Sequence, residues 1–203
     1  MDAVPYAFCY SLCGLLNDLS NLRTFFSTNH KFSLWKAALA EHTRNRHLVQ
    51  LHVECVVGEW SYRIETSAGM LTFQALKECN QHFVLVDKIQ FGPIDRLRKT
   101  RSSKSEIEEL LKYTLPCVNS ALFSATNPYC ARHFLPQYRH SSLREIRVHI
   151  YSLTDDEFLS TQLKSHCLAR LVLFGAGWPE QIMLELERLR QSKPFEFVIP
   201  VTV

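Results

Sequence analysis

The sequence predicts an α/β fold: a helical N-terminal segment, a β-hairpin, and then a short array of βα units on a parallel sheet. Three observations carry this. Apolar residues recur every three or four positions within residues 1–47. They alternate with polar ones from Val49 to Ile64. Beyond residue 70, a strand-like motif of the form apolar-x-x-apolar-x-apolar returns after each helix-length stretch.

The helical segment reads in three parts. Phe8, Leu12, Leu15, Leu16 and Leu19 keep helical spacing and make one apolar face. Ser20-Asn21 suits the cap of a short second helix with Leu22, Phe25 and Phe26. Ser33 is a plausible N-cap for a third helix that carries Trp35, Ala38, Leu39 and His42 on one side. Its end holds Arg44, Arg46 and His47, where basic groups complement the helix dipole. The domain boundaries expected are therefore 1–47 and 48–203.

In the second domain, Val49, Leu51, Val53, Cys55 and Val57 alternate with His52 and Glu54. Trp60, Tyr62 and Ile64 alternate beyond Gly58-Glu59, which predicts a hairpin. The repeating motif begins at Val86, Val118, Leu143 and Leu168, with a shortened copy at Phe195. The steps between them are 32, 25, 25 and 27 residues. A crossover between parallel strands needs a dozen or more residues, so each step holds one helix and two loops. Ser105-x-x-Glu108 and Thr154-x-x-Glu157 fit capping boxes, and Pro179 fits a first helical turn. The stretch from Tyr129 to Tyr138, bounded by Pro128 and Pro136, predicts one short helix.

Units of this length with an L-x-x-L-x-L strand resemble leucine-rich repeats, in which neighbouring units bury each other. The asparagine or cysteine usual after the last strand leucine is replaced by Ile94, Thr126, Tyr151 and Ala176. Stacked repeats and a compact α/β domain of the same element order both fit. In either, residues between the core positions face away from the helices. These are Lys88 and Gln90, Ser120 and Leu122, Glu145 and Arg147, and Arg170 and Val172, extended by His149 and Phe174. Lys88, Gln90, Glu145, Arg147, Arg170 and Val172 form the candidate partner-binding surface.

Composition narrows the function. With 46% hydrophobic and 21% charged residues, the chain can build a core without metals or disulfides. A net charge of +3 is too small to imply nucleic-acid or membrane binding by itself. Seven cysteines without paired spacing suit reduced thiols, and no apolar run spans a bilayer, so a cytoplasmic or nuclear protein is expected. Asp2 and Pro5 argue against a secretion signal. There is no phosphate-loop, dinucleotide or nucleophile-elbow motif. Cys130-x-x-His133 with His166-Cys167 lacks the paired spacing of structural zinc sites. No catalytic residue, metal or cofactor is therefore assigned, and a non-enzyme is expected. A small-molecule enzyme with an unread site stays open. So does nucleic-acid contact through the basic cluster Arg96, Arg98, Lys99, Arg101 and Lys104, which the default reading places in a solvated loop.

The N-terminal segment also resembles a degenerate F-box, with Val4-Pro5 at its start, helices around Phe8–Leu19 and Leu22–Phe26, and Trp35 in the third. Phe158-Leu159-x3-Leu163-Lys164-Ser165, Leu171-Val172-Leu173-x4-Trp178-Pro179 and Ser192-Lys193-Pro194-Phe195 look like the nematode-expanded set of F-box-associated proteins. The resemblance implies a substrate receptor of a cullin-type ubiquitin ligase. Its helical end, including Pro5 and Leu15, would meet a Skp-type linker subunit, and its sheet would hold a protein target.

Overall fold

The computed structural model describes residues 5–16, 19, 22–24, 33–95, 98–149, 157–192 and 194–199, without the Leu15 side chain. Two helices, α1 (Tyr6–Leu15) and α2 (Ser33–Asn45), form the head. They bury Cys9, Cys13, Ala38 and Leu39 as a core of their own, closed by Tyr10, Leu19, Leu22 and Trp35. The Arg46 guanidinium donates to the carbonyls of Cys13 and Leu16. It thereby satisfies acceptors that a helix end leaves unpaired. Of the helix expected at Leu22–Phe26, residues 22–24 are helical, and Phe25 and Phe26 lie outside the described residues.

The chain turns from helix to strand at Arg46. Strand β1 (His47–Val56) and β2 (Glu59–Thr66) form the expected hairpin, with Val56 opposite Glu59. Its turn is Val57-Gly58, with φ of 51° and 83°. Positive φ at both central residues is what a tight hairpin turn requires, and glycine supplies it without strain at the second. A second tight turn gives β3 (Gly69–Leu71), which the alternation did not reveal.

Thereafter strands and helices alternate: α3 (Phe73–Glu78), β4 (Val84–Phe91), β5 (Thr100–Ser102), α4 (Lys104–Thr114), β6 (Val118–Ala125) and α5 (Pro128–Ala131). These are followed by β7 (Ser142–His149), α6 (Glu157–Leu163), β8 (Arg170–Phe174), α7 (Glu180–Ser192) and β9 (Glu196–Val198). The nine described strands form one sheet in the order β3-β2-β1-β4-β6-β7-β8-β9, with β5 also paired to β2. From β1 to β9 along this order every pairing is parallel. The fold is therefore α/β, with the helical head, the hairpin and the parallel βα array in the expected order.

One core joins the array. Val49, Leu51 and Val53 of β1 pack with Ile89, Phe123, Ile146 and Leu171 of the later strands. The same core takes Phe73, Ile107, Leu110, Ala131, Phe158 and Ile182 from helices α3 to α7. Phe91 stacks on Phe134 at 5.7 Å, and Phe123 lies 5.6 Å from Phe158. The helices thus share the sheet's one apolar face.

Local chemistry refines several boundaries. The cap of α4 is Ser103, whose hydroxyl accepts from the Glu106 amide, so the box sits two residues before Ser105. Thr154 lies outside the described residues. The expected 129–138 helix is one turn capped by Asn127, then a 3-10 turn at Leu135–Tyr138. Asn127 accepts from two amides of α5, and its Nδ2 donates to the Cys55 carbonyl two strands away at 3.4 Å. It does the tying that a repeat asparagine does, one position beyond Thr126. Gly92 fits because a Cβ there would sit 2.5 Å from the Thr126 hydroxyl oxygen.

Candidate functional site

The three-residue step in each strand motif has a physical cause. Val86, Ile89 and Phe91 are all fully buried, yet three is an odd step for a strand. The pairing shifts between Val86 and Lys88, leaving Asp87 as an extra residue against β1. Further shifts follow at Asn119/Ala121 and Ala121/Leu122 of β6. These are β-bulges, which re-aim the residues that follow. Ser120, at φ 54°, lies within one. The outward pair on β6 is therefore Leu122 and Ser124, and Ser120 does not belong to it.

Beyond the bulges the outward residues align in two rungs across the sheet. One runs Glu65, Gln50, Lys88, Leu122, Glu145, Arg170, Glu196. The other runs Arg63, His52, Gln90, Ser124, Arg147, Val172, Val198. Lys88, Gln90, Glu145, Arg147, Arg170 and Val172 thus share one face. His149 pairs with Phe174 in a third rung. The hairpin residues Gln50, His52, Arg63 and Glu65 extend the face and were missed as site candidates. The alternation of His52 with the core residues of β1 was the signal that could have placed them.

Charge on this face is mostly paired internally. The Glu145 carboxylate, 13% exposed, receives Arg147 Nε at 2.7 Å and Arg170 Nη1 at 3.4 Å. Arg170 Nε lies 3.3 Å from Glu196, and Arg63 Nε lies 3.1 Å from Glu65. All three carboxylates of the two rungs are thereby engaged. Lys88 has no ion pair among the described residues. His52 is 4% exposed, with its Nε2 3.5 Å from Glu65. Burial, with Arg63 and Lys88 beside it, pushes its imidazole down to about 4, so the ring is neutral at pH 7.

The segment after β4 crosses this face. The buried Glu54 carboxylate accepts from the Ile94 amide at 3.3 Å and from Lys99 Nζ at 2.6 Å. Strand β5 then pairs with β2. This excursion occupies the long 32-residue step. The basic cluster is accordingly no uniform solvated loop: Lys99 is bound to Glu54, Arg101 lies in β5, and Lys104 opens α4. Arg96 lies outside the described residues.

Pro5 and Leu15 stand apart from the rungs. Pro5 is exposed, and its carbonyl accepts from the amides of Phe8 and Cys9. Leu15 is the last residue of α1.

Other chemistry-bearing groups are arranged differently. Cys130 is fully buried, its thiol donates to the Val53 carbonyl at 3.7 Å, and burial pushes it up to about 12. That holds it as a neutral thiol, the opposite of a nucleophile or metal ligand. Among the described residues no three His, Cys, Asp or Glu side chains gather as a metal site. A hollow of about 670 Å³ lies between the head and the sheet, lined by Ser11, Gly14, Gln81, His82, Cys117 and Asn119. Burial pushes the Cys117 thiol up as well. A second hollow, about 350 Å³, opens on the outward face beside Leu48, Gln50, Glu65, Met70, Asp87 and Arg98. No described helix is long and apolar enough to cross a membrane. No protein-family model, curated protein or solved structure matches this chain.

Proposed function

We propose that the chain is a protein-interaction module whose outward sheet face binds an acidic segment of a target protein. One observation carries this reading: six outward residues from β4, β7 and β8 fall into two adjacent rungs on the face that the helices leave open. The rungs hold four cations, Arg63, Lys88, Arg147 and Arg170, against three carboxylates, Glu65, Glu145 and Glu196. The carboxylates are already ion-paired, so an incoming carboxylate meets the Lys88 ammonium, which has no ion pair among the described residues, at the middle of the sheet. Leu122, paired with Lys88 and partly exposed, offers apolar contact beside it. Such a mixture of apolar contact and charge suits a specific protein interface.

Topology supports the use of the face. Doubly wound sheets bind small ligands in the crevice where their winding reverses. Here β1, β4, β6, β7, β8 and β9 follow one another without reversal. Within this reading, the helical head gives the chain the layout of a ubiquitin-ligase substrate receptor, with α1 offered to a Skp-type linker.

The test is affinity purification of the full-length chain beside Lys88→Glu, followed by direct titration of each differential partner. The reading expects partners lost with Lys88→Glu that bind the purified wild-type chain through an acidic segment, more weakly as salt rises. An identical partner set for both proteins would sink it. A Pro5→Ala/Leu15→Asp variant that captures the Skp-type subunit as well as wild type would remove the linker proposal alone.

A further inference from the structure

We propose that Tyr10, His42 and His82 form an acid-sensitive latch: proton uptake by buried His42 releases the helical head from the sheet. His42 lies on α2 with no exposed surface. Neither of its ring nitrogens has a hydrogen-bond partner among the described residues. Its ring instead packs on three others. Tyr10 of α1 lies at 4.5 Å, and His82 and Phe83, just before β4, lie at 5.3 Å each. Tyr10 also stacks on His82 at 4.8 Å with the rings 6° from parallel. The cluster therefore joins both helices of the head to the start of a core strand. Gly14 packs into the same junction, where a Cβ would lie 3.3 Å from His42 Cε1 and 3.4 Å from His82 Cε1.

Such a site favours a neutral His42. An imidazolium would be buried among aromatic rings, and the Tyr10 backbone, which favours the charged form, does not outweigh that burial. The charged groups around it do not reverse this. Arg46, just past the end of α2, adds positive charge, while the Glu41 carboxylate accepts from the Tyr6 hydroxyl of α1. Cys13 and Tyr10, facing it from α1, are both held protonated by burial. Burial likewise pushes the His42 imidazole down; the Tyr10 backbone and, less, Glu41 oppose this, while Arg46 and His82 add to it.

The sign of the linkage follows. With the head released, His42 titrates at its ordinary value of about 6.5. Docked, it takes a proton only at lower pH. Docking is thus at full strength above about pH 6.5 and weakens about tenfold for each pH unit below it, until His42 protonates in place. The proton comes from solvent, and no bond other than N–H forms.

Hydrogen exchange of the full chain, corrected for intrinsic rates and read by mass spectrometry at pH 7.5 and 5.5, tests this. Protection in α1 and α2 should fall about tenfold while β6 and β7 hold theirs. In His42→Phe the head should keep its protection at both values. Unchanged protection of the wild-type head, or an equal acid loss in His42→Phe, would overturn the proposal. Should His42→Phe lose its head already at pH 7.5, the wild-type His42 proton resonance decides. Titration coincident with head release supports the latch. Titration near 6.5 with the head still protected refutes it.

Discussion

The two faces of this sheet are built from alternate residues of the same strands, yet they obey different rules. On the helix side, Phe91, Phe123, Ile146 and Val148 are fully buried in one core. One residue along, Gln90, Leu122, Glu145 and Arg147 remain partly exposed, and charge is balanced by ion pairs. The first face is specified by shape, because a well-packed interior registers the loss of a single methylene. The second is specified by charge, and exposed ion pairs contribute little to stability. On the proposed reading, stability and recognition fall to different residues of one strand.

The largest effect that would test this division is on the covered side. Phe123→Ala should cost about 3–5 kcal/mol in urea unfolding. Phe123 packs against Phe91, Tyr138 and Phe158 at 5.5 to 5.6 Å, so the vacated space has no neighbour free to fill it. A cost no greater than that of an outward substitution would erase the distinction.

The next effect falls where the open face is not open. Lys99→Met leaves the buried Glu54 carboxylate with the Ile94 amide alone among the described residues, and should cost about 1–3 kcal/mol. Adding Glu54→Gln should recover part of that loss, because it removes the charge. No recovery in the double variant, measured by the same unfolding curves, would mean that Lys99 contributes through packing alone.

His52 supplies a smaller, pH-dependent effect. Its folded value near 4 lies below the unfolded value of about 6.5, so the unfolded chain binds the proton first. Its contribution is complete above pH 6.5 and declines as pH falls toward 4, by on the order of 1 kcal/mol for each pH unit. His52→Gln should flatten that part of the stability–pH curve. A curve parallel to wild type would place the acid sensitivity elsewhere.

The smallest change expected is for Arg147→Gln, at under about 1 kcal/mol in stability, because Glu145 keeps Arg170. Partner binding should weaken nonetheless. This variant is cleaner than reversal to glutamate, which would set a new carboxylate beside Glu145 and confuse the two readouts.

What was legible in the sequence was periodicity, and what was not was contact across long separations. The helical spacing of the first segment, the alternation of β1 and β2, and the returning strand motif each describe a face made by neighbours in sequence. Strand phase was harder. Counting by two from Ala121 selects Ser120 as outward, but the bulge resets the count and Ser124 takes that place. The three-residue step between Val86 and Ile89 was visible and already implied an extra residue. Strands β3 and β5, three residues each, are too short to show alternation. The Glu54–Lys99 pair, the reach of Asn127 to Cys55 and the Arg46 cap on α1 join residues 30 or more positions apart. Composition cannot announce such pairings, and the face was therefore half read: its array residues were found, and its hairpin residues and crossing loop were not.

Because β1, β4, β6, β7, β8 and β9 occur in space in the order in which they occur in the chain, the array has a direction of growth. A duplicated unit of about 25 residues, the spacing from Val118 to Leu143, could enter between existing strands without rerouting any connection. Each insertion would widen the sheet by about 4.8 Å and add two outward positions, while its inward residues met helices of the same kind on either side. Lineages that vary the number of units could thus lengthen the outward face stepwise and leave the head unchanged.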